Sequence, residues 1–190
     1  MTKCVLSMTL LAVASFAQIG LSGEPITDLK DFEAELGTWT REWELNNDHP
    51  ILGKKGTKVE SVATKEWGPG KKFILRRHSL RANGKQVEGP WLLTGIDPAT
   101  KQAVTYYFGT QGDHATGFWF RDSENRTKRR RQYRNIARDA NDLVVLGSGV
   151  VVIEAKDENT RIIQYVDLVY SGQSLEDLPP VTWTRVKAEK

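Results

Sequence analysis

A dense run of positive charge, RTKRRRQYR at residues 126–134, is the part of the sequence best suited to bind an anion. Six of its nine side chains are Lys or Arg, and none is acidic. In a β-strand, Arg129, Arg131 and Tyr133 would share one face, and the opposite face would also be cationic. Burying an unpaired cation costs on the order of several kcal/mol, so neither face suits a dry core. The run is therefore either a solvated surface or the rim or wall of a wet cavity that accepts an anion.

Two aromatic runs, TYYFG at 105–109 and GFWFR at 117–121, are candidates for the walls of such a cavity. Large rings are used both to fill cores and to line ligand pockets. Rings occur on both faces of each run, so the pattern leaves open which face is inward, and Tyr107 and Trp119 represent the alternative face. The predicted aromatic ligand contacts are Tyr106, Phe108, Phe118 and Phe120.

The histidine spacing predicts no metal site. His49 and His114 fall in predicted loops, while His78 lies in a predicted strand whose same face carries Arg76. The paired histidines that usually begin a zinc site do not occur, and neither does a Gly-x-Ser-x-Gly turn for a serine nucleophile. An isomerase or hydrolase acting in the cavity stays open as an alternative, because His78, Arg76 or Arg77 could project inward. The sequence favours a non-enzymatic protein, with His78 among the ligand contacts.

The first 23 residues are predicted to be a signal peptide, and residues 24–190 a single domain. Lys3 precedes an apolar run from Val5 to Ala17 that is too short and too weakly apolar for a membrane helix. Cleavage would also remove Cys4, the only cysteine, and with it any disulfide or thiolate site. We expect a secreted or periplasmic protein without stable membrane insertion. Export also makes nucleic acid an unexpected partner for the basic run.

The elements that would position these side chains are mostly β-strands. Leu29, Phe32 and Leu36 predict one short amphipathic helix that ends at Gly37. From there the hydrophobic period changes to two, and turn sequences such as WGPGKK, ANGK and DPATK separate about eight to ten short strands. Such a succession of strands is typical of a sandwich or a barrel.

The tetrapeptide Thr-Trp-Thr-Arg occurs twice, once near each end of the chain. In an up-and-down barrel the first and last strands must be neighbours, because closure removes both sheet edges. The two copies would then lie side by side with Trp39 and Trp183 facing the core. Arg41 or Arg185 would cover an indole ring, a cation-π contact worth about 0.5 to 2 kcal/mol. The repeat therefore predicts the seam at which the sheet closes on itself.

Gly37-Thr38-Trp39 in the first strand and Arg185 in the last resemble the lipocalin-like barrels, or calycins. Longer stretches, LGTWTREWEL, GKKFILRRHSL, LLTGIDPATKQAVTYYF and TWTRVK, resemble a largely uncharacterised group of secreted bacterial lipocalin-like domains. The resemblance covers about residues 29–187 and implies an all-β, up-and-down antiparallel barrel with an interior cavity and no defined activity. Haem-binding nitrobindin-like relatives carry further glycines where this chain has Arg41-Glu42-Trp43, so neither a haem ligand nor another cofactor is expected.

Together these patterns predict a lipocalin-like barrel that binds a small, partly apolar, anionic ligand in its cavity. The aromatic strands would form the walls, and residues 126–134 the rim. The alternative is a non-enzymatic interaction module with a filled barrel, whose basic segment binds an anionic glycan or the cell envelope. A bound small molecule would support the ligand-binding barrel. Salt-sensitive binding to polyanions, without such a molecule, would support the interaction module.

Overall fold

The computed structural model describes residues 23–46, 48, 52–110, 112–138 and 143–187, most of which lie in twelve β-strands. The structure describes Gly23 of the predicted signal peptide but not residues 1–22, and it does not describe His49. The signal peptide and the loop position of His49 therefore stay predictions. The strands are β1 Gly23–Pro25, β2 Gly37–Glu44, β3 Lys58–Trp67, β4 Phe73–Ala82, β5 Lys85–Ile96, β6 Ala103–Phe108, β7 His114–Asp122, β8 Lys128–Arg138, β9 Val144–Ala155, β10 Thr160–Tyr170, β11 Gln173–Ser174 and β12 Val181–Arg185.

Ten of these strands form a closed, up-and-down antiparallel barrel, which confirms the predicted fold class. Strands β2 to β10 each pair with their neighbours in sequence, and β12 closes the ring between β10 and β2. The two shortest strands are additions to the ring, because β1 pairs with β7 and β11 pairs with β10. A barrel of this size can hold a small cavity between the side chains of its inner face.

The ring closes where the two Thr-Trp-Thr-Arg copies meet. Arg185 pairs with Trp39, and Thr184 pairs with Thr40. The same antiparallel register brings Arg41 opposite Trp183. Arg185 Cζ lies 4.4 Å from the Trp39 ring centre, and Arg41 Cζ lies 5.3 Å from the Trp183 ring centre. The tetrapeptide is thus complementary to itself in antiparallel pairing, which gives a physical reason for its repetition.

A 3₁₀ helix, Leu29–Glu35, closes one end of the barrel where the sequence predicted a short helix. Its buried residues are Leu29, Phe32 and Glu35, which follow the three-residue period of a 3₁₀ helix. The predicted α-helical face ended instead at Leu36, which is half-buried. With this tighter winding, the last residue of the buried face is Glu35 instead of Leu36. No helix in the described part of the chain is long and apolar enough to cross a membrane.

The barrel wall supplies hydrogen-bond donors for the last carbonyl groups of this helix. Arg185 donates from Nη2 to Ala34 O at 2.6 Å and from Nη1 to Leu36 O at 2.5 Å. Trp39 donates from Nε1 to Glu35 O at 2.9 Å. Carbonyls at a helix C-terminus have no partners within the helix, so these bonds supply partners for three of them. They hold the helix as a plug against the seam.

The basic run becomes part of a regular barrel strand, β8. Arg131 and Tyr133 line the barrel interior, and Arg129 is buried with 8% of its surface exposed. Lys128 and Arg130 lie on the opposite, outer face, as strand alternation requires. The run is thus divided between two environments rather than protruding as one solvated surface.

Candidate ligand-binding cavity

The barrel encloses a cavity of about 260 Å³ between the plug and the opposite end. Much of its wall is apolar or aromatic and includes Leu92, Tyr107, Trp119, Tyr133, Val151 and Ile163. The ionisable side chains that reach it include Glu35, Lys65, Arg76, His78, Asp113 and Arg131. Pockets for drug-sized molecules are usually about 300 to 1,000 Å³, so this cavity suits a smaller ligand.

The floor of the cavity is a buried cluster of one carboxylate and three cations. Glu35, whose side chain is 3% exposed, contacts Lys65 Nζ from β3 and Arg129 Nη2 from β8. Arg161 from β10 adds an ion pair, with Nη1 lying 3.3 Å from Glu35 Oε2. With Lys65 protonated, the cluster has a formal excess of two positive charges. The floor is therefore electropositive even though it contains a carboxylate.

Burial and these charges shift the pKa values of the cluster. Burial acts to raise the pKa of Glu35, but Arg129, Lys65 and Arg161 outweigh it and hold that pKa well below its usual range. Burial, assisted by Arg76 and Arg161, lowers the pKa of Lys65 to about 7, although Glu35 acts in the opposite direction. Glu35 is thus ionised at neutral pH, whereas Lys65 is only partly protonated.

Two arginines face the cavity above the floor, Arg76 from β4 and Arg131 from β8. The Nε atom of each is shielded from solvent and has no hydrogen-bond partner among the residues that the structure describes. Arg76 Cζ lies 5.4 Å from the Trp183 ring centre, and Arg131 Cζ lies 5.5 Å from the Trp119 ring centre. Burial lowers the pKa of Arg76 to about 10 and lowers that of Arg131 as well, but both guanidinium groups stay charged at neutral pH.

Hydroxyl groups provide further donors in the cavity. Burial, followed by the nearby Asp113 carboxylate, raises the pKa of Tyr107 to about 12, and burial raises the pKa of Tyr133. Both phenols therefore stay protonated, but the hydroxyl of Tyr107 already interacts with the Asp113 carboxylate, so Tyr133 is the phenol that can donate to a ligand. Trp119 is also engaged, because its Nε1 donates to Thr105 Oγ1 at 2.7 Å. Its indole is a fixed wall rather than a free donor.

His78 adds a neutral polar group to the same space. Its ring stands at 88° to the Trp183 ring, with 5.8 Å between the ring centres. Burial, together with the positive charges of Arg76, Lys65 and Arg41, lowers the pKa of His78 to about 2. The imidazole is therefore uncharged at neutral pH and offers a hydrogen bond rather than a charge.

The neutral state of His78 predicts a pH dependence of stability. Between the ordinary pKa of 6.5 and the folded value of about 2, only the unfolded chain takes up the proton, so unfolding becomes easier as the pH falls. From pH 7 to pH 5 the free energy of unfolding should drop by about 2 kcal/mol. Urea denaturation at the two pH values should show this drop, and His78→Gln should remove most of it.

Glu35 and Lys65 contribute little to this drop. The pKa of Glu35 moves downward from 4.5 and that of Lys65 from 10.5 to about 7, so the two groups together add only about 0.6 kcal/mol in the same direction between pH 7 and pH 5. A drop of equal size in His78→Gln would contradict the neutral, buried imidazole.

The predicted ligand contacts divide between the cavity, its floor and the outer surface. His78, Arg131 and Tyr133 line the cavity. Arg129 lies beneath it and pairs with Glu35. The basic run thus contributes two side chains to the wall, Arg131 and Tyr133, and one to the floor, Arg129, whereas the sequence predicted that it forms the rim.

The structure corrects the prediction that four aromatic side chains line the cavity, because all four lie on the outer face of the barrel. Tyr106 and Phe108 are 43% and 50% exposed, and the half-buried Phe118 and Phe120 flank the inward Trp119 on β7. The inward residues of β6 and β7 are instead Thr105, Tyr107, Ala115 and Trp119. Two of these inward side chains, Trp119 and Thr105, share a hydrogen bond inside the barrel, and strand alternation turns their neighbours outward.

Sequence reasoning missed Glu35 and Lys65 as members of the site. Lys65 follows Val59, Ser61 and Ala63 at strand spacing, and all three are buried. The signal that could have identified Lys65 is its position on the same strand face as these buried residues. Glu35 could have been found only by assigning a three-residue period to the helix.

In the described part of the chain, no three His, Cys, Asp or Glu side chains are grouped as metal ligands would be. No protein-family model matches this chain, and no curated protein matches it significantly. Its function must therefore be inferred from the chemistry of the cavity.

Proposed function

We propose that this chain binds a small, partly apolar anion of the carboxylate class in the barrel cavity. The supporting observation is the pair Arg76 and Arg131, two cavity-lining guanidinium groups whose buried Nε atoms lack hydrogen-bond partners among the described residues. An uncompensated cation is costly to bury, and an anion beside it offsets much of that cost. A carboxylate also matches the planar donor fork of arginine.

The remaining cavity wall fits a ligand with an apolar or planar body. Trp119 and Ile163 offer apolar surface, while the protonated hydroxyl of Tyr133 can donate to an oxygen atom. The volume of about 260 Å³ favours a molecule with roughly one ring. The ligand class is therefore a compact aromatic or aliphatic carboxylate rather than a long lipid.

The outer face of β8 gives less support to binding of an anionic glycan or the cell envelope. Arg130 Nε lies 2.9 Å from Asp122 Oδ2, and Lys128 Nζ lies 3.7 Å from Glu154 Oε2. These carboxylates partly neutralise two of the cations that such a surface would use. Salt-sensitive binding of a sulfated glycan without any cavity ligand would favour this alternative.

Native mass spectrometry tests for a cavity ligand of any identity, because it detects the ligand by its mass. We further propose, from the sequence alone, that residues 1–23 direct export, so the sample should be produced with that segment and collected outside the cytoplasm. The folded protein should carry an extra mass that disappears on denaturation, and the Arg76→Met/Arg131→Met double variant should lack it. The same bound mass on the double variant would contradict the proposed site.

Arg131→Met should weaken binding of para-methylbenzoate, a one-ring carboxylate, by at least about tenfold, because the variant loses half of the arginine pair. It should also raise the free energy of unfolding of the empty protein by about 1 kcal/mol or more. A buried charge without a partner is removed, and Met can fill the space with an apolar chain. Titration calorimetry and urea denaturation measure the two effects.

Arg130→Met is the matched control on the outer face of the same strand. It removes a cation that already has Asp122 as its partner, so binding should not change and stability should fall slightly. Equal loss of affinity in both variants would mean that general charge, rather than the cavity-facing guanidinium, attracts the anion.

A further inference from the structure

Lys65 places a primary amine next to the arginine pair. Its side chain is 12% exposed, reaches the cavity from β3 and contacts Glu35 at the floor. Lys65 is the direct cross-strand partner of Arg76. Partners of this kind on one face have Cβ atoms about 4.5 to 5.5 Å apart. An anion held by Arg76 would therefore have its body close to the Lys65 amine.

The surroundings of Lys65 are those that make a lysine nucleophilic. Attack on a carbonyl needs the uncharged amine, and desolvation or a neighbouring cation increases its population. Both conditions are met, because the side chain is buried and Arg76 and Arg161 lie close enough to act on it electrostatically. With a pKa of about 7, a large fraction of Lys65 is uncharged at neutral pH.

We propose that Lys65 forms a reversible imine with the carbonyl group of an anionic aldehyde bound in the cavity. The inference rests on the proposed function, since Arg76 and Arg131 would hold the anionic group while the aldehyde meets the amine. The nitrogen lone pair adds to the carbonyl carbon, and the resulting carbinolamine loses water. The two amine protons leave with the carbonyl oxygen, a carbon–nitrogen double bond remains, and nothing is oxidised or reduced.

Reductive trapping with para-carboxybenzaldehyde and cyanoborohydride tests this step, with peptide mapping to locate the modified lysine. At pH 7, Lys65 should be labelled at least about tenfold faster than the exposed Lys101, because the amine of Lys101 lacks the desolvation that favours the uncharged form. Excess para-methylbenzoate, which has the carboxylate but no aldehyde, should slow labelling of Lys65 and leave Lys101 unaffected.

The pH profile and two variants identify the reacting group. Labelling of Lys65 should rise between about pH 6 and pH 8 and then level off, whereas labelling of exposed lysines should keep rising to about pH 10. Lys65→Met and Lys65→Arg should both lose the fast label. The arginine variant keeps a cation beside Glu35, so loss of label there is not a consequence of an unpaired carboxylate. Circular dichroism and thermal melts check that both variants fold.

Two results separate failure of this inference from failure of the proposed function. If para-methylbenzoate binds but Lys65 reacts no faster than Lys101, imine formation is wrong and the anion site stands. If para-methylbenzoate does not bind and uncharged benzaldehyde labels Lys65 as fast as para-carboxybenzaldehyde does, the anion site itself is wrong.

Discussion

Glu35→Gln should lower the free energy of unfolding by about 3 to 5 kcal/mol. The substitution keeps the shape of the side chain but removes the carboxylate that pairs with Lys65, Arg129 and Arg161. These cations would then repel one another at a floor that is largely closed to water. Removing one member of a buried charge cluster is costly because its partners stay buried without compensation. Urea denaturation at pH 7 measures the loss.

Glu33→Gln is the matched control, since Glu33 lies on the same 3₁₀ helix but is exposed. This change should alter stability by no more than about 0.5 kcal/mol. Similar small effects of both substitutions would show that water screens the floor. They would then contradict a buried cluster that depends on the charge of Glu35.

Trp39→Ala should destabilise the protein by about 3 to 5 kcal/mol, as truncation of a buried tryptophan usually does. Trp39 is 3% exposed, and its ring centre lies 4.0 Å from Arg161 Cζ and 4.4 Å from Arg185 Cζ. Its indole N–H also bonds the carbonyl of Glu35. One side chain therefore connects the seam, the plug and the charge cluster, and its loss should weaken all three.

Trp91→Ala removes the same atoms from an outward position on β5, where the ring is 46% exposed. It pairs across strands with Phe108, so its loss should cost about 1 kcal/mol or less. Thermal and urea denaturation of the two variants give the comparison. Equal losses would mean that the first and last strands contribute no more to stability than an ordinary outer surface.

Closure of the barrel could be predicted because its signals are local and agree with one another. The Asn83-Gly84 pair of the ANGK turn sequence favours the positive φ angles of a tight hairpin turn, and both residues have them, at 51° and 71°. The repeated tetrapeptide adds a long-range signal, because the first and last strands of a barrel must pair. Arg185 opposite Trp39 is the pairing that this repeat implies.

The charge cluster could not be predicted in the same way, because it depends on contacts between distant parts of the chain. Leu29, Phe32 and Leu36 fit an α-helix, but the segment winds as a 3₁₀ helix and turns Glu35 inward. Lys65, 30 residues along the chain, then becomes its partner. No hydrophobic period encodes such a contact, since the barrel must close before the two residues meet.

The inner face of the aromatic strands also depends on neighbouring strands. Both faces of TYYFG and GFWFR carry rings, so alternation alone is consistent with either orientation. The observed choice places Thr105 where it accepts a hydrogen bond from Trp119, and it leaves Tyr106 and Phe108 at the surface. The basic run was more informative, because the cost of burying cations restricted Arg131 to solvent or a wet cavity.

The anion site is tested most directly by titrating the protein with para-methylbenzoate and with para-methylbenzamide, which has nearly the same shape but no charge. If Arg76 and Arg131 bind the anion, the carboxylate should bind at least about tenfold more tightly than the amide, and the Arg76→Met/Arg131→Met double variant should lose this preference. Equal affinities in the wild-type protein, or a preference that survives in the double variant, would contradict an anion-binding cavity.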